Sequence, residues 1–300
     1  MKNVVLSDKV KKALKNRLPI LALESSILSQ GMPYPKSLDF AKKAESLCLE
    51  AGVVPATIAI LKGTIHVGLG ERQIKEICEK ETVKKISMRE LGLAITKKWD
   101  GSTTVSSTIQ IAHGCGINVF ATGGIGGVHK SPPDFYDISQ DILALSTKPI
   151  IVITAGPKAI LDIEKTIEAL ETNSVTTLGY KTKEMPSFYS SKSNYFGLQQ
   201  VDNTEDIYET YKNNIKTGLV SSTLVCNPIP KKHEIPNSEI KKIIDRACVT
   251  AKNKNVFGKE LTPFLLGEIV KKTEGESLKA NIALALNNIS LGIRILSHFK

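Results

Sequence analysis

Two residues of this chain have the chemistry and the setting for covalent catalysis. The first is Glu24, in Ala22-Leu23-Glu24-Ser25-Ser26, which closes an apolar run and is followed by Gly31-Met32-Pro33-Tyr34-Pro35. A carboxylate at the carboxyl end of a buried parallel strand sits where open α/β sheets bind ligands. Desolvation there raises its pKa and favours proton donation; alternatively the residue only organises the turn that follows. The second is Lys158, in Thr154-Ala155-Gly156-Pro157-Lys158-Ala159-Ile160-Leu161. The pattern reads as a strand end, a glycine turn, proline at the first helical position and Lys158 in the first turn. Cations avoid helix N-termini, so this lysine breaks a local rule, as functional residues often do. Partly desolvated beside the positive end of a helix, its amine would hold its proton less tightly, as a nucleophile requires. A plain surface lysine is the other reading.

Two further segments carry polar chemistry. Ala121-Thr122-Gly123-Gly124-Ile125-Gly126-Gly127-Val128-His129-Lys130 follows a strand, and its glycines would let backbone N–H groups approach an anion closely. It matches neither the dinucleotide fingerprint nor the P-loop, and a purely structural turn stays open. In Pro133-Asp134-Phe135-Tyr136-Asp137-Ile138-Ser139-Gln140-Asp141, the carboxylates Asp137 and Asp141 would share one face of a helical turn. Such hard oxygens suit Mg²⁺ or Mn²⁺ held through waters; acidic capping of a helix N-terminus would also explain them. His66, His113, His233 and His298 have no ligand-like spacing and read as structural.

These residues need a scaffold. Runs at Leu18–Leu23, Val54–Leu61, Asn118–Thr122, Pro149–Ala155, Thr176–Tyr180 and Ser221–Cys226 read as short buried strands. Between and after them, Lys36–Ala51, Glu71–Glu81, Thr104–Gly114, Lys158–Glu171, Glu205–Lys216, Asn237–Lys252, Lys259–Lys272 and Ser277–Phe299 read as helices. Strands alternating with helices imply a largely parallel sheet with helices on both faces. No linker-like stretch divides the chain, so residues 1–300 are expected to form a single domain.

Composition narrows the function. The chain of 300 residues carries 40 Lys+Arg against 30 Asp+Glu, a net charge of +10, with 41% hydrophobic residues. Only Arg17, Arg72, Arg89, Arg246 and Arg294 among those cations are arginine, and aromatics make up 5%. Nucleic-acid readers cluster arginine and interleave aromatics, so nucleic acid is not expected as a partner, whereas an anionic small molecule fits. No apolar stretch approaches the roughly 18 residues of a spanning helix, and Met1–Asp8 lacks the apolar core of a secretory signal. Five scattered cysteines without a C-x-x-C pair suit a reducing, cytoplasmic setting.

The ordered set of motifs is far more specific than any one of them. A-L-E-S-S-x5-G-M-P-Y-P, V-P-A-T-I-A-I at Val54–Ile60, A-T-G-G-I-G-G-V-H, D-I-S-x-D, A-G-P-K-x-I-L-D, N-P-I-P from Asn227 and G-K-E-x-T-P-F-L-L from Gly258 resemble the pseudouridine-5′-phosphate glycosidase family. That family includes the indigoidine-cluster protein A. The resemblance runs from about Leu18 to Asn288. This chain departs from the family pattern at Ser26, Gln30 and Pro157, where the usual residues are threonine, histidine and a small residue.

The resemblance implies a three-layer α/β/α fold with a largely parallel or mixed central sheet. It implies Glu24 as proton donor and Lys158 as nucleophile. It places Lys85, Val105 and Ser139-Gln140-Asp141 on the substrate, with His129, Thr122 and Asn281 lining the pocket. Asp137 would bind Mn²⁺, one per subunit of a homotrimer. Any pseudouridine kinase supplying the phosphate would be a separate polypeptide. The residue types suit the chemistry. The base and sugar of pseudouridine are joined by a C–C bond, so protonating a heteroatom leaving group is not available. An opened ribose can take up a lysine at C1′, and protonation of C5 by Glu24 lets the C–C bond break, giving uracil and ribose 5-phosphate in a reversible reaction. Another Schiff-base lyase or aldolase acting on a sugar phosphate is the alternative enzyme. A phospho-ligand-binding or assembly protein without activity is the non-enzymatic one.

Overall fold

The computed structural model describes residues 4–130, 137–256 and 261–299. Positions 133–136 of the acidic motif and 258–260 of the Gly258 motif lie outside them.

The chain begins β1 (Val4–Leu6), α1 (Asp8–Lys15), β2 (Ile20–Leu23), a π-turn (Ile27–Gly31), α2 (Lys36–Glu50), β3 (Val54–Leu61) and β4 (Thr64–Val67). It continues through α3 (Glu71–Glu79), β5 (Lys84–Ile86), α4 (Leu91–Thr96), β6 (Gly101–Thr103), α5 (Val105–Gly114), β7 (Val119–Ala121) and β8 (Val128–His129). Then come α6 (Gln140–Thr147), β9 (Ile151–Thr154), β10 (Leu161–Asp162), α7 (Ile163–Thr172), β11 (Thr176–Tyr180) and β12 (Gln199–Val201). It closes with α8 (Thr204–Lys216), β13 (Thr223–Cys226), α9 (Asn237–Asn253), α10 (Leu261–Lys272) and α11 (Glu276–Leu296).

The main sheet has the order β1-β4-β3-β2-β7-β9-β13-β11-β12. From β3 to β12 every neighbouring pair is parallel. β4 and β6 run antiparallel to the long β3, and β5 pairs with β6, which makes the sheet mixed. Alternate residues of each central strand enter different cores, because successive side chains point to opposite faces. Leu21, Leu23, Val119, Ile151, Ile153 and Val225 pack with α2, α8 and α11 on one side. Ile20, Ala22, Phe120, Val152 and Leu224 pack with α1, α5 and α6 on the other. The result is the three-layer α/β/α arrangement that the sequence implies.

All six expected strands are present within two or three residues of their bounds. The short edge strands and α1, α4 and α6 were not anticipated, being too brief for periodicity to register. The expected helix from Lys158 to Glu171 is corrected. Lys158 N–H donates to Ile125 O at 3.0 Å, and Pro157 bridges Ile125 in parallel. Next, β10 pairs antiparallel with β8, matching Leu161 to His129. The backbone after Gly156 is thus taken up by the glycine-rich loop. The helix starts only at Ile163, where the Asp162 side chain caps it by accepting from Lys165 N–H at 3.1 Å. No helix among the described residues is long and apolar enough to cross a membrane.

Candidate active site

Strand order reverses at β2: the chain passes from β2 to β3 on one side, while β7 flanks it on the other. Crevices at such switch points, outside the carboxyl ends of the strands, are where α/β sheets bind ligands. Glu24 follows β2 and Thr122 follows β7, and the Thr122 hydroxyl donates to Glu24 Oε1 across this crevice. Ser26 Oγ donates to Glu24 Oε2. Glu24 is only 7% exposed, with Leu28, Phe40, Ala41 and Ala285 lining the small apolar recess behind it. Burial pushes its pKa up; the Lys158 ammonium and the two hydroxyl donors oppose that rise, and Asp141 adds slightly to it.

Lys158 reaches the same place from β9. Ala155 N–H donates to Gly123 O at 2.9 Å and Ile125 N–H to Gly156 O at 3.2 Å, so the segments after β7 and β9 are zipped together before Lys158 departs. Gly156 is required at its turn. Its φ is +89°, and a Cβ there would lie 2.1 Å from the Pro186 carbonyl oxygen. Because Lys158 stands in this zipped loop, the argument from a helix dipole does not apply to it. Its ammonium charge acts on the Glu24 carboxyl and on His129.

Glu24, Lys85, Lys158 and Asn281 share one open cleft, with Gln30 and Phe188 also on its wall. Lys85 arrives from β5 and Asn281 from α11, which crosses the ends of β7 and β9. Buried amides hold this end of the sheet in place. Asn288 Nδ2 donates to Thr122 O at 2.7 Å, and Asn227 Nδ2 donates to Asn288 Oδ1 at 3.0 Å.

The remaining expected residues form an adjoining layer. Asp141 is 4% exposed, and its oxygens accept from Ser106 N–H at 2.9 Å and Gly126 N–H at 2.8 Å. It therefore clamps the start of α5 to the glycine loop. Val105 is buried at the first position of α5. Ser139 caps α6 through Asp141 N–H at 3.2 Å, and Gln140 Oε1 accepts from Arg89 N–H at 2.9 Å. The pairing of Asp137 with Asp141 on one helical face is corrected: Asp137 precedes the cap of α6, and its carbonyl oxygen accepts from His129 N–H at 2.9 Å. The Gly126 N–H is likewise taken by Asp141 rather than offered to a ligand anion, and a Cβ on Gly124 would lie 2.5 Å from the Phe188 ring. A Cβ on Gly126 would lie 2.3 Å from Ser139 Oγ and one on Gly127 2.4 Å from Thr166, so close packing accounts for three of the loop's glycines.

His129 is half-buried, and burial lowers its pKa, with Asp137 opposing this and Lys158 and Lys85 reinforcing it. Among the described residues no three His, Cys, Asp or Glu side chains gather closely enough to hold a metal ion. Asp137 beside His129 could supply one carboxylate oxygen, leaving a hard divalent cation the water and substrate ligands it usually keeps. Sequence reasoning missed Gln30 and Phe188 as cleft residues. Phe188 lies in a polar loop without periodicity, and its φ of +62° is its only local signature.

A family described as indigoidine synthase A like protein matches residues 9–298. Pseudouridine-5′-phosphate glycosidase of Petrotoga mobilis is 43% identical over 98% of this chain and 96% of its own length. The protein of that name from Staphylococcus aureus is 42% identical over 98% of this chain and 96% of its own. Among solved structures, an indigoidine synthase A-like protein from Thermotoga maritima superposes with a TM-score of 0.89 at 32% identity, covering 99% of this chain and 97% of that one. A prealnumycin C-glycosynthase in complex with ribulose 5-phosphate superposes with a TM-score of 0.89 at 29% identity, over 99% and 98% of the two chains.

The Asp141 clamp has a direct test. Asp141→Asn keeps one acceptor oxygen and leaves one buried N–H unpaired, which costs about 1–3 kcal/mol. Chemical denaturation should show that loss, and an unchanged midpoint would remove Asp141 from the scaffold.

Proposed function

This chain belongs to the indigoidine synthase A like family, and from that premise we propose that it cleaves the C–C glycosidic bond of pseudouridine 5′-phosphate. The observation that carries the reading is a buried carboxyl and a lysine amine on the walls of one cleft, at the switch point of the sheet. The relatives' names supply the substrate, and the C-glycosynthase, solved with a pentose phosphate, supports a sugar phosphate in this cleft. The match spans nearly the whole chain, and we read it as one catalytic unit.

In this mechanism the Lys158 amine adds to C1′ as the ribose C1′–O4′ bond breaks, the bond pair staying on O4′, which takes up the proton that the amine gives up. Glu24, kept protonated by its buried setting, gives its proton to C5 of the base. The C1′–C5 bond then breaks, its electron pair passing to the base, while the lysine nitrogen lone pair forms the C=N bond of an imine with the sugar. Water hydrolyses the imine, releasing ribose 5-phosphate and restoring the amine. Run backwards, the same steps join uracil to ribose 5-phosphate. Thr122 and Ser26 aim the Glu24 carboxyl and hold its charge after the proton leaves. Lys85, on the cleft wall, supplies the cation for the 5′-phosphate. Asn281 would meet the base or the sugar.

Mn²⁺ bound at Asp137 would screen the phosphate charge and orient it. We also read the enzyme as a homotrimer that works on the product of a separate kinase, as the resemblance implies. A sugar-phosphate aldolase using the same lysine is the second reading, since the amine and the cationic Lys85 would serve it equally.

Trapping the imine decides between a lysine nucleophile and none. With ribose 5-phosphate and borohydride, the peptide containing Lys158 should gain one reduced sugar-phosphate adduct by mass spectrometry, and Lys158→Ala should gain none. No adduct on the native chain would contradict the covalent route. Release of uracil from pseudouridine 5′-phosphate separates the glycosidase from an aldolase. Activity should fall on chelation and return with Mn²⁺, and Asp137→Asn should need at least about tenfold more Mn²⁺ for the same rate; indifference to EDTA would remove Asp137 as a ligand.

A further inference from the structure

The turn that leads away from Glu24 holds a polar group that the steps above do not use. Gln30 lies in the π-turn Ile27–Gly31 and lines the cleft. Its Oε1 is buried with no hydrogen-bond partner among the described residues. Turns of this wide kind recur at functional sites, and a buried carbonyl oxygen left unpaired costs the fold stability that a ligand's donor would restore. Asn281 is its neighbour: Asn281 Nδ2 donates to Gly31 O at 3.5 Å, and Asn281 Oδ1 is likewise unpaired. Both unpaired oxygens belong to residues on the cleft wall.

The chemistry of the ligand says which part meets Gln30. A phosphate brings acceptors, which a carbonyl oxygen cannot pair with, and Lys85 is there to receive it. The base must lie against Glu24 because C5 takes the proton, and Gln30 stands on the turn that Glu24 opens. In a C-glycosyl base both ring nitrogens keep their hydrogens, with the C2 carbonyl between them. In uridine 5′-phosphate one of those nitrogens carries the sugar. The unpaired Oε1 of Gln30 only accepts.

Resting on the function read above, we propose that Gln30 is a specificity-determining residue whose Oε1 accepts a hydrogen bond from a ring N–H of the base. Accepted from N1–H, the contact favours C-glycosyl bases over N1-glycosylated ones, which keep only N3–H. It requires no new covalent step, only that the base enter with an N–H edge towards the π-turn.

The test uses calorimetric titration of uracil, N1-methyluracil and N3-methyluracil into the native chain, Gln30→Leu and Gln30→Ala, with ribose 5-phosphate present. Uracil should bind Gln30→Leu roughly fivefold to tenfold more weakly than the native chain, the span of one net hydrogen bond. Methylation at one nitrogen should cost the native chain a similar factor. Gln30→Ala, with no acceptor and room for the methyl group, should bind that methyluracil and uracil alike. The borohydride adduct at Lys158 should form equally in all three proteins. Unchanged uracil affinity in Gln30→Leu, or equal methylation penalties in the native chain and Gln30→Ala, would overturn the proposal. Should the variants also lose the adduct, the native chain alone decides, and indifference to both methylations overturns it. Absence of the adduct from the native chain would instead strike the covalent reading, leaving the uracil titrations to judge Gln30.

Discussion

The site depends on keeping a carboxyl group out of water at the end of a central strand. Glu24 lies between the apolar recess of Leu28, Phe40 and Ala285 and an open cleft, and desolvation is the largest influence on its proton affinity. The Lys158 ammonium and the hydroxyls of Ser26 and Thr122 pull the other way. They favour the anion that forms once the proton has gone, so the same surroundings serve both states of the acid. The arrangement weakens the fold. A carboxyl whose pKa is higher folded than unfolded subtracts nothing below its ordinary value of 4.5, and destabilises increasingly as pH rises from there up to the folded value.

Much of the scaffold exists to hold that carboxyl opposite one amine. The hydroxyl contact from Thr122 crosses the sheet's switch point, and Asn288 fixes the carbonyl of the same threonine from α11. The segment after β9 is laced to the glycine loop by three backbone hydrogen bonds, which delivers Lys158 to the cleft from an irregular strand rather than from a helix. Asp141 ties that loop to the N-terminus of α5 from behind. The acid and the amine thus come from β2 and β9, on either side of β7, and the strand register sets their separation.

The central strands and the long helices were legible because their apolar runs are short, dense in Val and Ile, and punctuated by Gly or Pro. Glu24 was legible for the same reason: it ends such a run. The start of α7 was not. Proline after glycine is a sound helix-start signal, but here the Gly156 carbonyl and the Lys158 N–H on either side of Pro157 both pair with Ile125, a distant contact that no local pattern encodes. The spacing of Asp137 and Asp141 misled in the same way, since Asp141 is claimed by two distant N–H groups. Phe188 belongs to a loop whose place over Gly124 is set entirely by tertiary contact. Gln30 was visible only as a departure from the family pattern, and the burial of its oxygen depends on α2, α3 and α10 packing against the turn.

The central claim is that Glu24 stays protonated above the ordinary carboxylate range while facing Lys158. Infrared difference spectroscopy across a pH series, with Glu24→Gln to identify the band, reads this directly. The carbonyl stretch of a protonated, buried carboxyl should persist in the native chain above pH 4.5 and be missing from the variant. A Glu24 band that has already vanished at or below that pH would contradict the account.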